Sequence, residues 1–328
     1  MKQEKLDLLI SNAQAVKKGF KLQNAMVRRL TALLYTLENR RVDCDAIREC
    51  RSLIRRNAGI FSRFRGNLFM CIAGLLSLKD KRQELIEHTL SVYDLMKRAK
   101  FRASDYLVAA AYQIAAHTDH DRAQYAVSRA SEFYDGMKAQ RWFYTGQDDY
   151  IYAAMLGLSD MDPAYGVEQI ERIYQLLKGE FWSGNSVLAL AQILALGGRS
   201  EQSAGRVLEL RDALKNRKIR LDKAPTLPAL GILALLPVNI EVIVQDICDA
   251  RAFLRKQKGF GVLSVSVREL LLYSSAITAS SHADDLKNSV TAASLSASIA
   301  GIILAQQTAI ITSAVVSSTM AASASSSN

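Results

Sequence analysis

Short apolar segments alternate with longer amphipathic segments along most of the chain. The apolar segments are rich in Ala and Leu, follow small polar residues, and begin near positions 68, 106, 150, 186 and 227. In the amphipathic segments, apolar residues recur every three or four positions, the spacing that buries one face of an α-helix. Similar pentads recur in these segments at steps of about forty residues, a period typical of stacked helical hairpins. The pentads are Tyr93–Lys97, Tyr134–Lys138, Tyr174–Lys178, Arg211–Lys215 and, more loosely, Arg251–Arg255.

This pattern predicts an all-α protein built as a right-handed-type stack of helical hairpins, an α-solenoid of about five repeats of roughly forty residues. Each repeat is predicted to begin with an apolar helix that pairs with the amphipathic helix after it. Because long β-branched runs with period-two alternation are missing from the body of the chain, little or no sheet is expected. The predicted units are a basic N-terminal helical segment (1–62), the repeats (63–261), a terminal helix (262–287) and an uncharged Ser/Ala-rich tail (288–328).

The joints between repeats combine a small polar residue with an aromatic one. The polar residues are predicted to be helix N-caps, because their side-chain oxygens can satisfy amide donors of the first turn. These are Asn67, Asp105, Asp149, Asn185 and Thr226. The aromatic residues are predicted to pack as hydrophobic staples. These are Phe64, Phe101, Phe143 and Phe181, and the tryptophans in two of the joints, Trp142 and Trp182, are predicted to pack there as well.

The chain has a net charge of +10, and a cluster of basic residues lies in its N-terminal segment. Arginines crowd one predicted helix there, among them Arg48, Arg51, Arg55 and Arg56. The favoured interpretation is a solvated helix face. The alternative is a surface that binds nucleic acid or another anionic surface, which requires clustered basic residues on one side of a helix. No aromatic nucleic-acid motif accompanies these arginines, so this alternative is the less supported one.

The tail lacks charged residues from position 288 onward. Its most apolar part, 299–316, has about eighteen residues, the lower limit for a membrane span. Gln306 and Gln307 lie in its middle, and no aromatic belt or basic flank frames it. We therefore expect an amphipathic helix that docks on the last hairpin or pairs with a second copy in a homodimer, followed by disorder from about Ala321. Membrane association is the less favoured alternative.

The sequence contains no recognised catalytic signature and no Gly-rich phosphate loop. His117 and His120 could ligate a metal, but the turn in which they lie explains the nearby Asp residues as caps. Asp148 and Asp149 could form a catalytic carboxylate pair, although Asp149 is already assigned as a cap. We predict no catalytic residue, metal or cofactor. An enzyme with a pocket in the concavity of the solenoid is kept as an alternative function.

Three tyrosines, Tyr93, Tyr134 and Tyr174, recur at equivalent positions of the repeats. The favoured interpretation is packing against the neighbouring hairpin, and the alternative is a ladder of rings that binds a peptide along a concave surface. The leading functional hypothesis is a non-enzymatic helical-repeat scaffold with an unidentified protein or peptide as its partner. The absence of paired cysteines and of a secretory signal at the N-terminus predicts a cytoplasmic location.

Several motifs resemble those of an uncharacterised bacterial family, catalogued as domain of unknown function four thousand and three. They are Phe64–Leu68, Ser104–Leu107, Tyr134–Lys138, Gly146–Tyr150 and Lys256–Gly261. The resemblance extends from the N-terminal helices to about Ala279 and includes the style of the tail. It implies a bacterial, cytoplasmic, helical protein, and it assigns no activity and no functional residue.

Overall fold

The computed structural model describes residues 2–60, 62–198, 200–285, 299–306 and 308–309. Within this part of the chain every regular element is helical and no strand occurs, which confirms the all-α class. Three short 3₁₀ turns lie at Arg63–Arg65, Gln147–Asp149 and Ala224–Thr226. The main helices are α1 (Lys2–Gly19), α2 (Ala25–Leu37), α3 (Cys44–Asn57), α4 (Phe69–Ser77), α5 (Arg82–Arg98), α6 (Asp105–Ala115), α7 (His120–Arg141), α8 (Tyr150–Leu158), α9 (Pro163–Leu177), α10 (Gly184–Leu196), α11 (Ser200–Asn216), α12 (Leu227–Ala234), α13 (Ile240–Arg255), α14 (Val267–Asp285) and α15 (299–306).

The helices form seven hairpins in the described residues, and each odd-numbered helix packs most extensively on the even-numbered helix that follows it. The predicted pairing was the opposite, because the short turns after the apolar helices suggested the hairpin connection. Side-chain contacts explain the observed pairing. Arg129 of α7 donates to the carbonyls of Gly157, in the last turn of α8, and Ser159, just after it, at 3.1 and 2.9 Å. Arg206 of α11 does the same for Ala234 and Leu236 at the end of α12, at 2.9 Å each.

Close helix packing supports the same pairing. Gly157 of α8 lies so near α7 that a Cβ there would be 2.8 Å from the Ala126 carbonyl oxygen and 2.7 Å from the Ala130 nitrogen. Backbone atoms cannot move aside as a flexible side chain does, so this contact requires glycine. The amphipathic helix therefore buries its apolar stripe on the apolar helix that comes after it in the chain.

The last hairpin contacts the first one, so the hairpins close into a ring. Helix α14 packs against α1 and α2. Lys5 Nζ lies 2.9 Å from Asp284 Oδ2, and Arg29 Nε lies 2.7 Å from Glu269 Oε1. Lys2 also forms an ion pair with Asp246 of α13. The repeat period predicted a stack of helical hairpins but gave no contact between its two ends, which carry complementary charges where they meet. The three helices of the predicted N-terminal segment are members of this ring.

The even-numbered helices form the inner layer, and α15 lies inside the ring. Ile299, Ile302, Ile303 and Leu304 are all at most 3% exposed. Such burial on every side of a helix requires neighbours all around it. The sequence predicted a helix here that docks on the last hairpin, and the structure instead encloses it among several inner helices. Leu295 and Ile310, which the prediction placed on its apolar stripe, lie outside the described residues, as does Ala321.

Asp149 and Thr226 occupy the N-cap positions of α8 and α12, as predicted, but none of the five predicted residues caps an α-helix through its side chain. The caps of α6 and α10 are Ser104 and Ser183, whose hydroxyls accept from the amides of Leu107 at 3.1 Å and Ser186 at 3.4 Å. Some of the predicted cap residues bond to the next hairpin instead. Asn67 Nδ2, for example, donates to Asp105 Oδ2 at 2.8 Å. The polar residues mark the joints correctly, but they hold neighbouring hairpins together.

The aromatic joint residues divide into two groups. Phe64, Phe101 and Phe181 are buried, as the staple prediction requires. Phe143 is 78% exposed, and the tryptophans Trp142 and Trp182 are 68% and 104% exposed. The packing prediction is therefore wrong for these three residues. In the described ranges, no helix has both the length and the apolarity needed to cross a membrane.

The buried ion pair between Arg29 and Glu269, which closes the ring, should make a large contribution to the free energy of unfolding. Replacing Glu269 by Ala leaves the Arg29 charge buried without its carboxylate, so the free energy of unfolding should fall by about 3–5 kcal/mol. Urea denaturation measures this change. The control is Glu84→Ala, which removes an exposed partner of Lys81 and should cost at most about 0.5 kcal/mol. Equal losses in both variants would contradict a buried closing contact.

The observed caps predict that an observed cap residue and a wrongly predicted one contribute differently to the free energy of unfolding. Ser104→Ala should lower the free energy of unfolding by about 1 kcal/mol, because the first turn of α6 loses its hydroxyl acceptor. Asn185→Ala removes only an exposed bond to Asp148 and should cost less than about 0.5 kcal/mol. Denaturant titrations of both variants test the assignment, and a larger loss for Asn185 would restore the original cap prediction.

Candidate functional site

The ring interior encloses α15, whose apolar side chains are buried there. Gly301 of α15 packs so tightly that a Cβ there would lie 3.1 Å from both Gln113 Nε2 of α6 and the sulfur of Met155 in α8. At the other end of α15, Gln306 Nε2 donates to the carbonyl of Pro225, just before α12, at 2.8 Å. These contacts come from three different hairpins. The interior therefore holds an apolar helix of the same chain.

The contacts also give the direction of α15. Gln113 lies near the C-terminal end of α6, whereas Pro225 lies ahead of the N-terminal end of α12. Helix α15 therefore runs antiparallel to the inner helices. Its C-terminal end points to the side of the ring where the inner helices begin.

A buried carboxyl group, that of Asp149, links successive hairpins at the start of the inner helices. Its Oδ2 accepts from the Gly146 amide, and its Oδ1 accepts from Gln192 Nε2 of α10, both at 2.8 Å. Burial, followed by the nearby charge of Asp148, raises the pKa of Asp149 well above its ordinary value. Asp148 itself accepts from Asn185 Nδ2 at 2.6 Å. The carboxyl groups of Asp148 and Asp149 thus join α8 to α10. The sequence analysis considered the pair for catalysis and did not predict this link.

Two of the three recurring tyrosines pack in joints between hairpins. Tyr134 lies in the joint that contains Asp149, and Tyr93 lies at the equivalent place in an earlier joint. Tyr134 lies against Phe101 and Tyr150, with ring centroids 5.4 and 5.1 Å away. Tyr93 packs edge-on against Phe64 at 5.2 Å. Each of these rings fills a joint between hairpins.

The third tyrosine, Tyr174, is 4% exposed and lies under the Arg141 guanidinium at 4.0 Å. Burial raises the pKa of all three tyrosines, which keeps their hydroxyls protonated at neutral pH. The structure therefore places each of the three against aromatic or charged neighbours within the ring.

The arginines of α3 are interleaved with two phenylalanines. Arg48 and Arg51 lie over the Phe20 ring at 5.3 and 5.7 Å, and Arg51 also lies 4.9 Å from the Phe69 ring. Arg55 covers Phe69 from 5.2 Å. These cation–π contacts hold the guanidinium groups of α3 over the two phenylalanine side chains. The row includes the predicted basic residues, and Arg56 is exposed beside them. Burial and the neighbouring Arg55 lower the pKa of Arg51.

The two histidines considered as metal ligands make separate contacts. His117 Nδ1 bonds to the Gln113 carbonyl at 2.8 Å, while the His120 ring lies against that of His88, tilted by 47° with ring centroids 4.0 Å apart. His88 lies one hairpin earlier in the chain, so the sequence could not bring the two rings together. Within the described residues, no group of three or more metal-ligating side chains comes together.

The raised pKa of Asp149 predicts how stability depends on pH. Between the ordinary aspartate pKa of about 4 and the raised folded value, only the folded state holds this proton, so stability falls as pH rises through that window. Asp149→Asn keeps a neutral group there, and this loss of stability between about pH 5 and about pH 8 should be at least about 1 kcal/mol smaller. Urea denaturation at the two pH values measures the slope. Asp160→Asn, at an exposed position, is the control, and an unchanged slope in Asp149→Asn would contradict the assignment.

Comparisons with known proteins agree with the resemblance seen in the sequence. A family model described as "Protein of unknown function (DUF4003)" matches residues 12–308. The matched range begins within α1 and extends past α15. No curated protein and no solved structure matches the chain. Because one model spans the ring and its enclosed helix, the chain belongs to the DUF4003 family.

Proposed function

We propose that this protein is a non-enzymatic helical-repeat scaffold whose ring interior binds an apolar helical segment of another protein. The observation that carries this proposal is α15, a short apolar helix held inside the ring by contacts from α6, α8 and the turn before α12. A site that accepts a helix of its own chain has the shape and apolarity to accept a similar helix from a partner.

The chemistry of the interior favours an apolar helix as the ligand. Ile299, Ile302, Ile303 and Leu304 are buried there, and burial of each such side chain contributes about 1.5–3 kcal/mol. Gly301 permits the close approach to α6 and α8 that a larger residue would prevent. A partner helix with small and branched apolar residues at the same spacing would reproduce these contacts.

The two alternatives from the sequence receive less support. For nucleic-acid binding, Arg48 is paired with Asp45, and Arg51 lies between two aromatic rings, so part of the arginine row is engaged within the chain. For an enzyme, the one strongly perturbed carboxyl described above, Asp149, is buried and accepts two hydrogen bonds from its own chain.

A peptide-binding experiment tests the proposal. A fluorescent peptide of residues 297–309, with lysines added at both ends for solubility, is titrated against full-length protein and against a chain ending at residue 287. The shortened chain should bind at least about tenfold more tightly, because tethered α15 competes in the full-length protein at an effective concentration near ~1 mM.

The matched control is the same peptide with Ile302→Asp and Ile303→Asp, which should not bind. Should the shortened chain aggregate, the full-length protein carrying these two substitutions replaces it, since they weaken α15 in its own site. Failure of the unmodified peptide to bind any form, or equal binding of both peptides, would contradict a helix-binding interior.

A further inference from the structure

The two faces of the ring differ in composition. Because the odd-numbered helices contact one another side by side around the ring, the loops that follow them lie on one face, here called the loop face. Its loops are 20–24, 58–68 (described at 58–60 and 62–68), 99–104, 142–149, 178–183, 217–226 and 256–266. Bonds between successive loops support this placement. The Arg102 amide donates to the Tyr150 hydroxyl at 3.1 Å, and Asn185 donates to Asp148 at 2.6 Å.

The loop face carries most of the exposed large apolar side chains. Eight of the thirteen such residues in the described chain lie in these loops, and none lies in the six loops of the opposite face. Leu22, Trp182 and Leu263 are fully exposed, at 102%, 104% and 105%. Ile60, Trp142 and Phe143 are 75%, 68% and 78% exposed. Apolar residues concentrated at the tips of separate loops on one side of a protein indicate an interaction surface.

The loop face also carries most of the net charge. The described residues of its loops include twelve Lys or Arg against four Asp or Glu, whereas those of the opposite loops include four against six. Lys21, Lys100, Arg102, Lys258 and Lys223 are among the exposed ones. The basic residues come from six of the seven loops, so the positive potential extends across the whole face rather than along one groove.

We propose that the loop face docks on an anionic lipid bilayer. Exposed tryptophans and aliphatic side chains insert at the level of the headgroups, and the surrounding lysines and arginines contact anionic lipids. This surface is distinct from the ring interior and does not depend on what the interior binds.

Two features favour a bilayer over a nucleic acid. Leu22, Ile60 and Leu263 cannot stack on bases, whereas they gain free energy on entering hydrocarbon. The exposed tips are also distributed around a ring, which matches a flat surface better than a strand. Helix α15 points towards this face, and the sequence that follows it, residues 310–328, contains no charged residue.

The two tryptophans make the test direct, because both Trp residues of the chain lie on the loop face. Full-length protein is mixed with phosphatidylcholine vesicles, and with vesicles that contain about 30 mol% phosphatidylglycerol. Sedimentation should show at least about tenfold stronger binding to the anionic vesicles. Binding should weaken as salt rises from about 0.1 M to about 0.5 M, because exposed charges are screened. Tryptophan emission should shift to shorter wavelength and become protected from acrylamide.

Variants at exposed positions separate the loop face from the tail, since the tail stays intact in all of them. The triple variant Leu22→Ser, Trp182→Ser, Leu263→Ser should lose at least about tenfold of its vesicle binding. The control triple variant Tyr165→Ser, Leu176→Ser, Val242→Ser removes exposed apolar residues from the outer helices and should bind as the original protein does.

A second pair of variants tests the charge. Lys21→Glu, Lys100→Glu, Lys258→Glu together should abolish the preference for anionic vesicles, whereas Arg40→Glu, Lys79→Glu, Lys81→Glu on the opposite face should preserve it. Equal binding to both kinds of vesicle, or an unchanged affinity in the loop-face variants, would overturn the proposal. So would tight binding of a single-stranded oligonucleotide that shifts the tryptophan emission when vesicles do not.

Discussion

The closed ring depends on buried ion pairs between the two ends of the chain. Helix α14 is buried along almost its whole length, and its carboxylates Glu269 and Asp284 meet Arg29 of α2 and Lys5 of α1. Charges with so little solvent contact are stable only when they are paired, so each end supplies what the other end requires. An open array would remove both of these ion pairs and would expose the apolar sides of the first and last hairpins.

Closure creates the interior in which α15 lies. A stack of hairpins has a concave side open to solvent, whereas a ring surrounds that side and removes water from it. The inner helices can therefore be apolar nearly all round, as α8 and α12 are, because the neighbouring hairpins cover one side and α15 contributes to covering the other. The same constraint explains why polar groups near the interior, such as Asp149 and Gln192, bond to each other.

The hairpin arrangement also sorts the surface into two faces. The loops of one face are short and nearly balanced in charge, while those of the other face are longer, basic and tipped with exposed apolar residues. Residues far apart in the chain, such as Leu22 and Leu263, thereby become parts of one surface. The positive charge of the loop face is separate from that of the basic N-terminal segment, since only Lys21 of its twelve basic loop residues lies in that segment.

The sequence by itself determined the elements that arise from local physics. Helical spacing of apolar residues marked the alternation of outer and inner helices, and the forty-residue step marked the recurrence of joints. The motifs also pointed to the family.

Tertiary structure decided the rest, because each remaining question depends on residues that are distant in the chain. Whether an amphipathic helix pairs with the apolar helix before or after it depends on contacts such as those of Arg129 with Gly157. Whether Trp182 packs or faces solvent depends on the neighbouring loop. The helical spacing of apolar residues in the sequence is the same in both cases, so it cannot distinguish them. Whether the array stays open depends on Lys5 meeting Asp284, two residues at opposite ends of the sequence whose encounter no local pattern records.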